Sequence, residues 1–320
     1  MAERLLATRA PLTASSAVRC DDSRRGAVVA PGAATIQRIS TLPAPAQRVR
    51  ALEAGQVLVL ESPPAAFAGL LRRAAELVED ALGLEGPAAI AHCLPPPVFL
   101  ERGRALQQRF ASDATVRDAF WQSVSEMEMA GATFRDQLFL RVLPPQASGH
   151  GAFPPLHPHR DTWGSRVMCQ ENWWAPVSPV SRLNTLGLYL QHWQQAIENE
   201  SDTWSFEDYR AHRKAAGEGR PLAYPSAPRA KWPPPAGEAT PLELPVGHLA
   251  LFSGAQLHVS LPNHSGVTRF SVETRTVCLR DGQLPAGPQN VDTASRPPYL
   301  GWFRDRQGTS LAEVVDTQGR

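Results

Sequence analysis

The segment 156–163, which reads LHPHRDTW, carries two side chains that could bind one metal ion. His159 and Asp161 are two residues apart, and on an extended chain residues at this spacing project to the same side. Together with a second imidazole they would form the arrangement that binds Fe(II) and leaves coordination positions open. The spacing alone occurs often by chance, so a third ligand decides whether a metal site exists.

His258 is the best candidate for that third ligand. It follows a short apolar run within ALFSGAQLHVS that is typical of a strand. Eleven residues further along lies Arg269, and a guanidinium group can bind a carboxylate through two parallel hydrogen bonds. A metal with a fixed cation one strand away suits a 2-oxo acid that chelates the metal and carries a second carboxylate.

Other histidines compete for the same role. His264 and Arg275 repeat the eleven-residue spacing, but His264 follows Pro-Asn in a turn-like context. His157 could instead bind a metal together with His159, but Asp161 would then have no role. The remaining histidines in this part of the chain are interpreted as surface, lid or structural residues, namely His192, His212 and His248.

The polar residues around His258 resemble a family signature. The pattern His258-x-Ser260-x-x-Asn263-x-Ser265-x-x-x-Arg269 is similar to the C-terminal signature of the phytanoyl-CoA dioxygenase family. His159-x-Asp161 is similar to the first metal motif of that family. The resemblance covers roughly residues 134–277, without an insertion at 192–240. The serine and asparagine positions match only when His258, and not His264, is taken as the ligand.

The resemblance implies a non-haem oxygenase with a double-stranded β-helix core, which is also called a jelly roll or a cupin-like fold. His159, Asp161 and His258 would bind Fe(II), and Arg269 would bind the far carboxylate of 2-oxoglutarate. With O2, such a dioxygenase would hydroxylate a small molecule or biosynthetic intermediate and release succinate and CO2. Because Asp161 is present, the resemblance disfavours the halogenase variant, in which a small residue makes room for a halide.

The resemblance also implies further contacts to 2-oxoglutarate. A tryptophan on the strand after the HxD segment would lie against it, and Trp173 is the best match, with Trp174 or Asn172 as alternatives. The strand before that segment would supply a polar partner. Gln137 and Arg141 share a face of that strand, and either one suits the role.

The predicted strand at 269–277 has a polar face. Arg269, Ser271, Glu273 and Arg275 alternate with other residues, so all four project to one side. That side is either exposed to solvent or lines a polar cavity, where buried charges need partners. Ser271 is accordingly a further candidate contact of 2-oxoglutarate. Arg275 is expected to pair with Glu273 or another acid, or alternatively to bind a carboxylate or phosphate of the substrate.

Two residues beside the metal ligands have opposite expected orientations. Trp163 is tied through its backbone to a ligand strand, so we expect it to line the substrate side of the iron. Arg160 lies between His159 and Asp161, and the alternation of an extended chain points it away from both ligands.

The elements that must hold these residues follow from composition and periodicity. Residues 1–45 are rich in Ala, Arg, Ser and Pro, and we expect a mobile tail there. A strand is predicted at 56–61, and apolar residues recur at helical spacing over 65–84 and again over about 98–128. Beyond residue 131, short strand-like segments predominate. They are 134–143, 167–177, 186–190, 242–252, 257–261 and 269–279.

This order predicts a single α+β domain with a mainly β core. Helices within 46–130 would buttress a jelly-roll core over 131–285, and a C-terminal extension would follow over 286–320. An aromatic and Pro-rich insertion at 192–240 interrupts the strands. A lid over the site and a surface or oligomer contact are equally supported for this insertion.

Composition narrows the class of protein. Lys and Arg number 32 against 31 Asp and Glu, and no basic stripe is evident, so nothing indicates a nucleic-acid partner. No apolar run reaches the length of a membrane span. The four cysteines lack CxxC spacing, which favours reduced thiols and a cytoplasmic enzyme with a small-molecule substrate. Nothing in the sequence indicates an oligomeric state.

Two alternative functions remain open. An iron enzyme of the same fold could carry out desaturation or cyclisation, or could work without 2-oxoglutarate. A non-catalytic jelly roll could bind a sugar or another small ligand. The complete set of metal ligands and Arg269 favour an enzyme over a binding protein.

Overall fold

The computed structural model describes residues 34–82, 88–129, 132–146, 153, 155–217, 224–296 and 298–318. Most of the predicted mobile tail, residues 1–33, lies outside the described residues. The last part of that prediction is wrong, because Ile36–Ile39 forms strand β1. This strand pairs in parallel with β2, Val57–Leu60, which is fully apolar and buried.

Four helices lie ahead of most of the strands. The predicted helix at 98–128 is two helices, because Asp113 accepts a hydrogen bond from the Val116 amide at 2.9 Å and so caps the start of a new helix. Apolar residues of these helices pack against apolar residues of the strands behind them in one buried cluster. The helices are α1 Pro45–Glu53, α2 Ala65–Leu82, α3 Pro96–Ser112 and α4 Ala114–Glu126.

Within the described ranges, seven strands form a large sheet in the order β1-β2-β8-β5-β10-β3, and β4 also pairs with β10. Every pairing in this sheet is antiparallel except that of β1 with β2. The long strand β10 lies beside three others and therefore brings its polar face to the centre. The strands not yet bounded are β3 Thr133–Arg135, β4 Phe139–Leu143, β5 Glu171–Pro176, β8 Leu249–Ser253 and β10 Arg269–Cys278.

A second, smaller sheet has the order β7-β6-β9, with β7 at Thr240–Pro241, β6 at Leu186–Leu188 and β9 at His258–Ser260. His159 extends this sheet through an isolated bridge to His258. Leu186 and Leu188 of the small sheet share a buried cluster with Trp174 of the large one. The chain is therefore a mixed α/β structure with layers of helices, large sheet and small sheet.

The segments outside the sheets are shorter and mostly irregular. Helix α5, Asp161–Ser165, follows the HxD motif directly, and α6, Phe206–Gly217, lies in the 192–240 insertion. The C-terminal part carries α7 at Leu311–Gln318. Trp204 of the insertion is buried, whereas Trp232 is 77% exposed. Among the described residues, no helix combines the length and apolar character that crossing a membrane requires.

Candidate metal centre

His159, Asp161 and His258 come together as one possible metal-binding group. Their ligand atoms all lie within 4.8 Å of one another, and all three residues are buried. Nε2 of His159 lies 3.7 Å from Oδ1 of Asp161, and Nε2 of His258 lies 3.8 Å from Oδ2. Two imidazole nitrogens and one carboxylate on the same side of a buried pocket are the donor set of the 2-His-1-carboxylate iron site.

The backbone fixes which nitrogen of each ring faces the carboxylate. Nδ1 of His159 donates to the His157 carbonyl at 2.7 Å, and Nδ1 of His258 donates to the Gln256 carbonyl at 2.9 Å. Each ring therefore keeps its Nε2 lone pair for a metal ion. Such outer hydrogen bonds typically orient metal-ligating histidines.

The local fold explains how residues far apart in sequence meet. The amides of His159 and His258 each donate to the carbonyl of the other at 3.0 Å, which closes the edge of the small sheet. Arg160 is still extended, and α5 begins at Asp161, so the carboxylate stands at the first position of a short helix. The alternation of the extended segment then brings Asp161 to the same side as His159.

The charged and polar groups around Asp161 keep it ionised. Burial alone would raise its pKa, but Arg275, His258, His159 and the Asn172 amide together lower the pKa to about 2. Nε of Arg275 lies 3.5 Å from Oδ1, and Nδ2 of Asn172 donates to Oδ2. A carboxylate that stays ionised is the form that binds a metal.

His159 is held in its neutral form. Burial and the neighbouring His258 lower the pKa of His159 to about 3. An imidazole is a metal ligand only when it is neutral, so near neutral pH no proton has to leave this ring before a metal binds.

Arg269 is fully buried at the start of β10. Its Nη1 donates to the Asn184 carbonyl at 3.2 Å, and its Nη2 lies 3.5 Å from the Ser260 hydroxyl. Burial lowers the pKa of Arg269 to about 10, so the group is still charged near neutral pH. Among the described residues, no acceptor is hydrogen-bonded to its Nε. Arg269 is not among the residues that line the pocket, but it adjoins Ser260, which is. A buried guanidinium with an open donor is a candidate binding group for an anion.

The prediction for Trp173 is corrected by the direction of its side chain. Its indole packs against Phe67 and Phe120 on the helix side of the large sheet, and its Nε1 donates to the Thr276 hydroxyl at 2.9 Å. Trp174 and Asn172 project to the opposite side because side chains alternate along a strand. Both tryptophans border the pocket. The ring of Trp173 belongs to the cluster with the helices, whereas the ring of Trp174 packs with Leu186 and Phe252 between the two sheets.

Of the two candidate polar residues Gln137 and Arg141, only Arg141 lines the pocket. Gln137 is exposed in the connection between β3 and β4 and does not line the pocket. Arg141 lies on β4, lines the pocket and forms an ion pair of 2.9 Å with Glu273. The two do not share a face because the regular alternation of β4 begins only at Phe139.

The polar face of β10 lies toward the interior. Ser271 is fully buried, and its hydroxyl lies 3.2 Å from Oε1 of Glu273. Of the acids predicted to pair with Arg275, Glu273 is not the partner, because it pairs with Arg141. Arg275 lies 3.5 Å from two other acids, Asp136 and Asp161, as the prediction also allowed. One of these two, Asp161, is a candidate metal ligand.

Trp163 does not line the pocket, contrary to expectation. It is fully buried among Tyr189, Ile197 and Leu257, and its Nε1 donates to Oδ1 of Asp292 at 2.7 Å. The physical reason is that α5 replaces the extended chain after Asp161, and the helical turn directs the indole elsewhere.

Arg160 points away from the ligands, as the alternation predicts. Its Nε donates to Oδ2 of Asp292 at 3.0 Å. Its other nitrogens donate to four backbone carbonyls, those of His192, Trp193, Gln195 and Ala255. The Arg160 guanidinium therefore stabilises the fold around the site by joining these segments.

The other histidines of this region do not join the site. His157 and His264 are exposed, and the former contributes only its carbonyl. His192 lies 2.8 Å from Glu238 in the insertion. The sequence reasoning missed Asp136 and the contact of Asn172 with Asp161, and no spacing pattern points to either one.

A pocket open at its mouth surrounds the three candidate ligands, and its empty space together with the adjoining open solvent amounts to about 480 Å³. Both sheets contribute to it, so the ligands lie between the layers. Its lining residues are Phe139, Arg141, Leu156, His159, Asp161, Asn172, Trp173, Trp174, Leu186, Phe252, His258, Ser260, Glu273, Thr274 and Arg275.

No protein-family model and no curated protein matches the sequence. Solved structures show weak likenesses. EvdO2 from Micromonospora carbonacea var. aurantiaca has 12% identity, covers 60% of this chain and 63% of its own, and gives a TM-score of 0.34. This chain thus spans less than two thirds of EvdO2.

Two further likenesses carry names that state an activity. The non-heme monooxygenase ThoJ in its apo form has 12% identity over 81% of this chain and 94% of its own, at a TM-score of 0.36. The non-heme alpha ketoglutarate dependent carbocyclase SnoK from nogalamycin biosynthesis has 16% identity over 72% of this chain and 88% of its own, at a TM-score of 0.35. TM-scores this low do not establish a shared fold or activity.

Proposed function

We propose that this protein is a non-haem Fe(II)- and 2-oxoglutarate-dependent oxygenase acting on a small molecule. The observation that carries the proposal is the convergence of His159, Asp161 and His258, with both Nε2 atoms turned to one carboxylate by backbone hydrogen bonds. At 3.7 and 3.8 Å, the two Nε2 atoms lie too far from the carboxylate oxygens for hydrogen bonds, and this spacing suits a metal ion held between the three groups.

The donor set fits Fe(II). Two neutral imidazoles and one carboxylate on one side leave the remaining positions of an octahedral ion for co-substrate and O2. Affinity alone does not select iron over other divalent metals, so the choice of Fe(II) rests on this geometry and on the sequence resemblance.

The anion that Arg269 is suited to bind is the far carboxylate of 2-oxoglutarate. Its Nε has an open donor position in a fully buried setting. Trp174 supports the same reading, because its buried Nε1 likewise has no acceptor among the described residues and its ring lines the pocket. Both groups would gain a hydrogen bond from a bound carboxylate.

When Fe(II), 2-oxoglutarate and O2 are bound, they would supply the oxidation of the substrate together with release of succinate and CO2. The chain's own residues have other tasks. His159, Asp161 and His258 would hold the metal, and Arg269 would orient the co-substrate by its far end. The apolar side chains of Trp174 and Phe252 would keep bulk water away from the site.

We further propose that the two sheets are the halves of a double-stranded β-helix. Along the chain, β4, β5, β8 and β10 belong to the large sheet, while the His159 bridge, β6, β7 and β9 belong to the small one. Strand order β4-β10-β5-β8 opposite β7-β6-β9 and the bridge is the pattern that two interleaved sheets of a jelly roll would give.

The proposal is tested by metal content and oxygen consumption. Purified protein reconstituted without oxygen should bind one Fe(II), and His258→Ala should reduce binding by at least about tenfold, whereas the matched control His264→Ala should not. Oxygen consumption should then require added 2-oxoglutarate. Stoichiometric iron binding that survives in His258→Ala would contradict the metal site, and oxygen uptake indifferent to 2-oxoglutarate would contradict the co-substrate. Product analysis distinguishes hydroxylation from desaturation or cyclisation.

A further inference from the structure

The charged side chains at the pocket compensate one another. Arg141 and Glu273 form an ion pair of 2.9 Å, and Arg275 lies 3.5 Å from both Asp136 and Asp161. Four charged residues line the pocket, two guanidinium groups and two carboxylates, and each of them has a partner of opposite charge. They are Arg141, Arg275, Asp161 and Glu273.

The proposed ligands leave this balance unchanged. Fe(II) brings two positive charges and 2-oxoglutarate brings two negative ones, so the loaded pocket would remain neutral. Arg269 would then be occupied by the co-substrate. An ionised group on the substrate would meet no free counter-charge, and burying an unpaired charge is costly.

The pair of Arg141 and Glu273 offers a different kind of recognition. Both side chains line the pocket and are about a quarter exposed or less, at 25% and 20%. A guanidinium donates hydrogen bonds and a carboxylate accepts them, and a hydroxyl group can satisfy both at once. The pair can therefore bind a hydroxyl without losing its own charge balance.

A cluster of three aromatic rings lies beside Arg275. The Arg275 guanidinium lies 5.9 Å from the centre of the Trp302 ring. That ring stacks on Tyr299 at an interplanar angle of 11° and contacts Phe206 with ring centres 4.5 Å apart. These rings supply apolar area against which the hydrocarbon part of a small molecule could pack.

We infer that the substrate is an uncharged, hydroxyl-bearing molecule, recognised by Arg141 and Glu273 beside the metal. This inference rests on the proposed function, because the charge balance includes Fe(II) and 2-oxoglutarate. It excludes acids and phosphate esters whose charged group would have to enter the pocket.

Three probes of one shape test the inference: benzyl alcohol, benzoate and benzylamine. Their affinities are measured by ligand-observed NMR on protein loaded with Fe(II) and 2-oxoglutarate without oxygen. The wild type should bind the alcohol more tightly than either ion. Glu273→Gln leaves Arg141 unpaired and should strengthen benzoate binding at least about tenfold, since a hydrogen bond to a charged group is involved. Arg141→Met should do the same for benzylamine.

A matched control uses the exposed ion pair of Arg109 and Asp80, whose charged atoms lie 3.1 Å apart. Neither residue lines the pocket. Asp80→Asn should leave all three affinities unchanged. A wild type that prefers benzoate, or affinities that respond to neither pocket substitution, would overturn the inference. Loading of Fe(II) and 2-oxoglutarate is measured in the same samples. Failure to load contradicts the proposed function, whereas normal loading with preference for benzoate contradicts only the substrate class.

Discussion

His159 and His258 face each other through reciprocal backbone hydrogen bonds, each amide donating to the other's carbonyl at 3.0 Å. Their ring centres lie 4.3 Å apart, and Asp161 lies close to both Nε2 atoms. Two candidate ligands separated by almost a hundred residues are thus held side by side by the backbone itself. Such pairing lowers the cost of ordering the ligands on binding.

Asn172 should control metal affinity without touching the metal. Its amide donates to the Asp161 carboxylate and so fixes the direction of that ligand. Asn172→Leu is expected to weaken Fe(II) binding roughly 10- to 100-fold, as outer partners of metal ligands do. Competition against a metal-binding dye measures the affinity. Gln108→Ala, at an exposed position on α3, is the control and should bind iron as the wild type does.

The two adjacent tryptophans should have separable effects. Trp174→Phe removes an open donor at the pocket and should weaken 2-oxoglutarate binding about tenfold while metal binding is retained. Trp173→Phe removes the hydrogen bond to Thr276 on the helix side and should lower stability with little change in 2-oxoglutarate affinity. Calorimetric titration of the metal-loaded variants measures both affinities. The reverse pattern would contradict the assignment of Trp174 to the pocket.

Asp292 should be essential to the fold around the site. Its carboxylate accepts from Arg160 Nε at 3.0 Å, from Trp163 Nε1 at 2.7 Å and from the Ile197 amide at 3.1 Å. Asp292→Ala leaves the guanidinium of Arg160 buried without its ion-pair partner and should cost about 3 kcal/mol in the free energy of unfolding. Urea denaturation measures the loss.

The control for this prediction is Glu198→Ala, which removes an ion pair of 3.7 Å between Lys231 and a glutamate whose side chain is 62% exposed. Its cost should be less than about 1 kcal/mol. Equal losses in the two variants would contradict the assigned role of Asp292.

The metal-free protein should lose stability as the pH falls below the ordinary pKa of histidine. Burial and His258 lower the pKa of His159 to about 3, whereas the unfolded chain takes up a proton near pH 6.5. Between these values the unfolded state binds more protons, so stability rises with pH. The contribution of this residue should reach about 1.4 kcal/mol per pH unit.

Urea denaturation at several pH values between 4 and 7 checks this prediction, with the range set by the two pKa values. His159→Asn should flatten the slope, and the exposed control His264→Ala should keep it. A slope that is unchanged in His159→Asn would show that this histidine is not buried in its neutral form.

The sequence predicted the parts of this site that depend on short-range geometry. The alternation of an extended chain brought His159 and Asp161 to one side and the polar residues of β10 to one face. The residues that the sequence misplaced depend on where an element begins. The prediction for Trp163 assumes that the extended chain continues beyond Asp161, but α5 begins two residues before Trp163. Gln137 likewise precedes the regular part of β4.

Trp173 shows a different limit. Period-two alternation places Trp173 and Trp174 on opposite faces, but it does not say which face the helices cover. That choice follows from packing of Phe67 and Phe120 against the sheet, which is a long-range property. The pairing of Arg275 with Asp136 also depends on long-range packing, because it forms only when β3 and β4 lie beside β10.

The most direct test of the account is anaerobic titration with Fe(II) and then 2-oxoglutarate, followed through the weak visible metal-to-ligand charge-transfer band. We expect a band in the wild type and in His264→Ala, its loss in His258→Ala, and a weaker band in Arg269→Ala. Bound iron without any band on addition of 2-oxoglutarate would contradict the co-substrate. A band that persists in His258→Ala would contradict the metal centre itself.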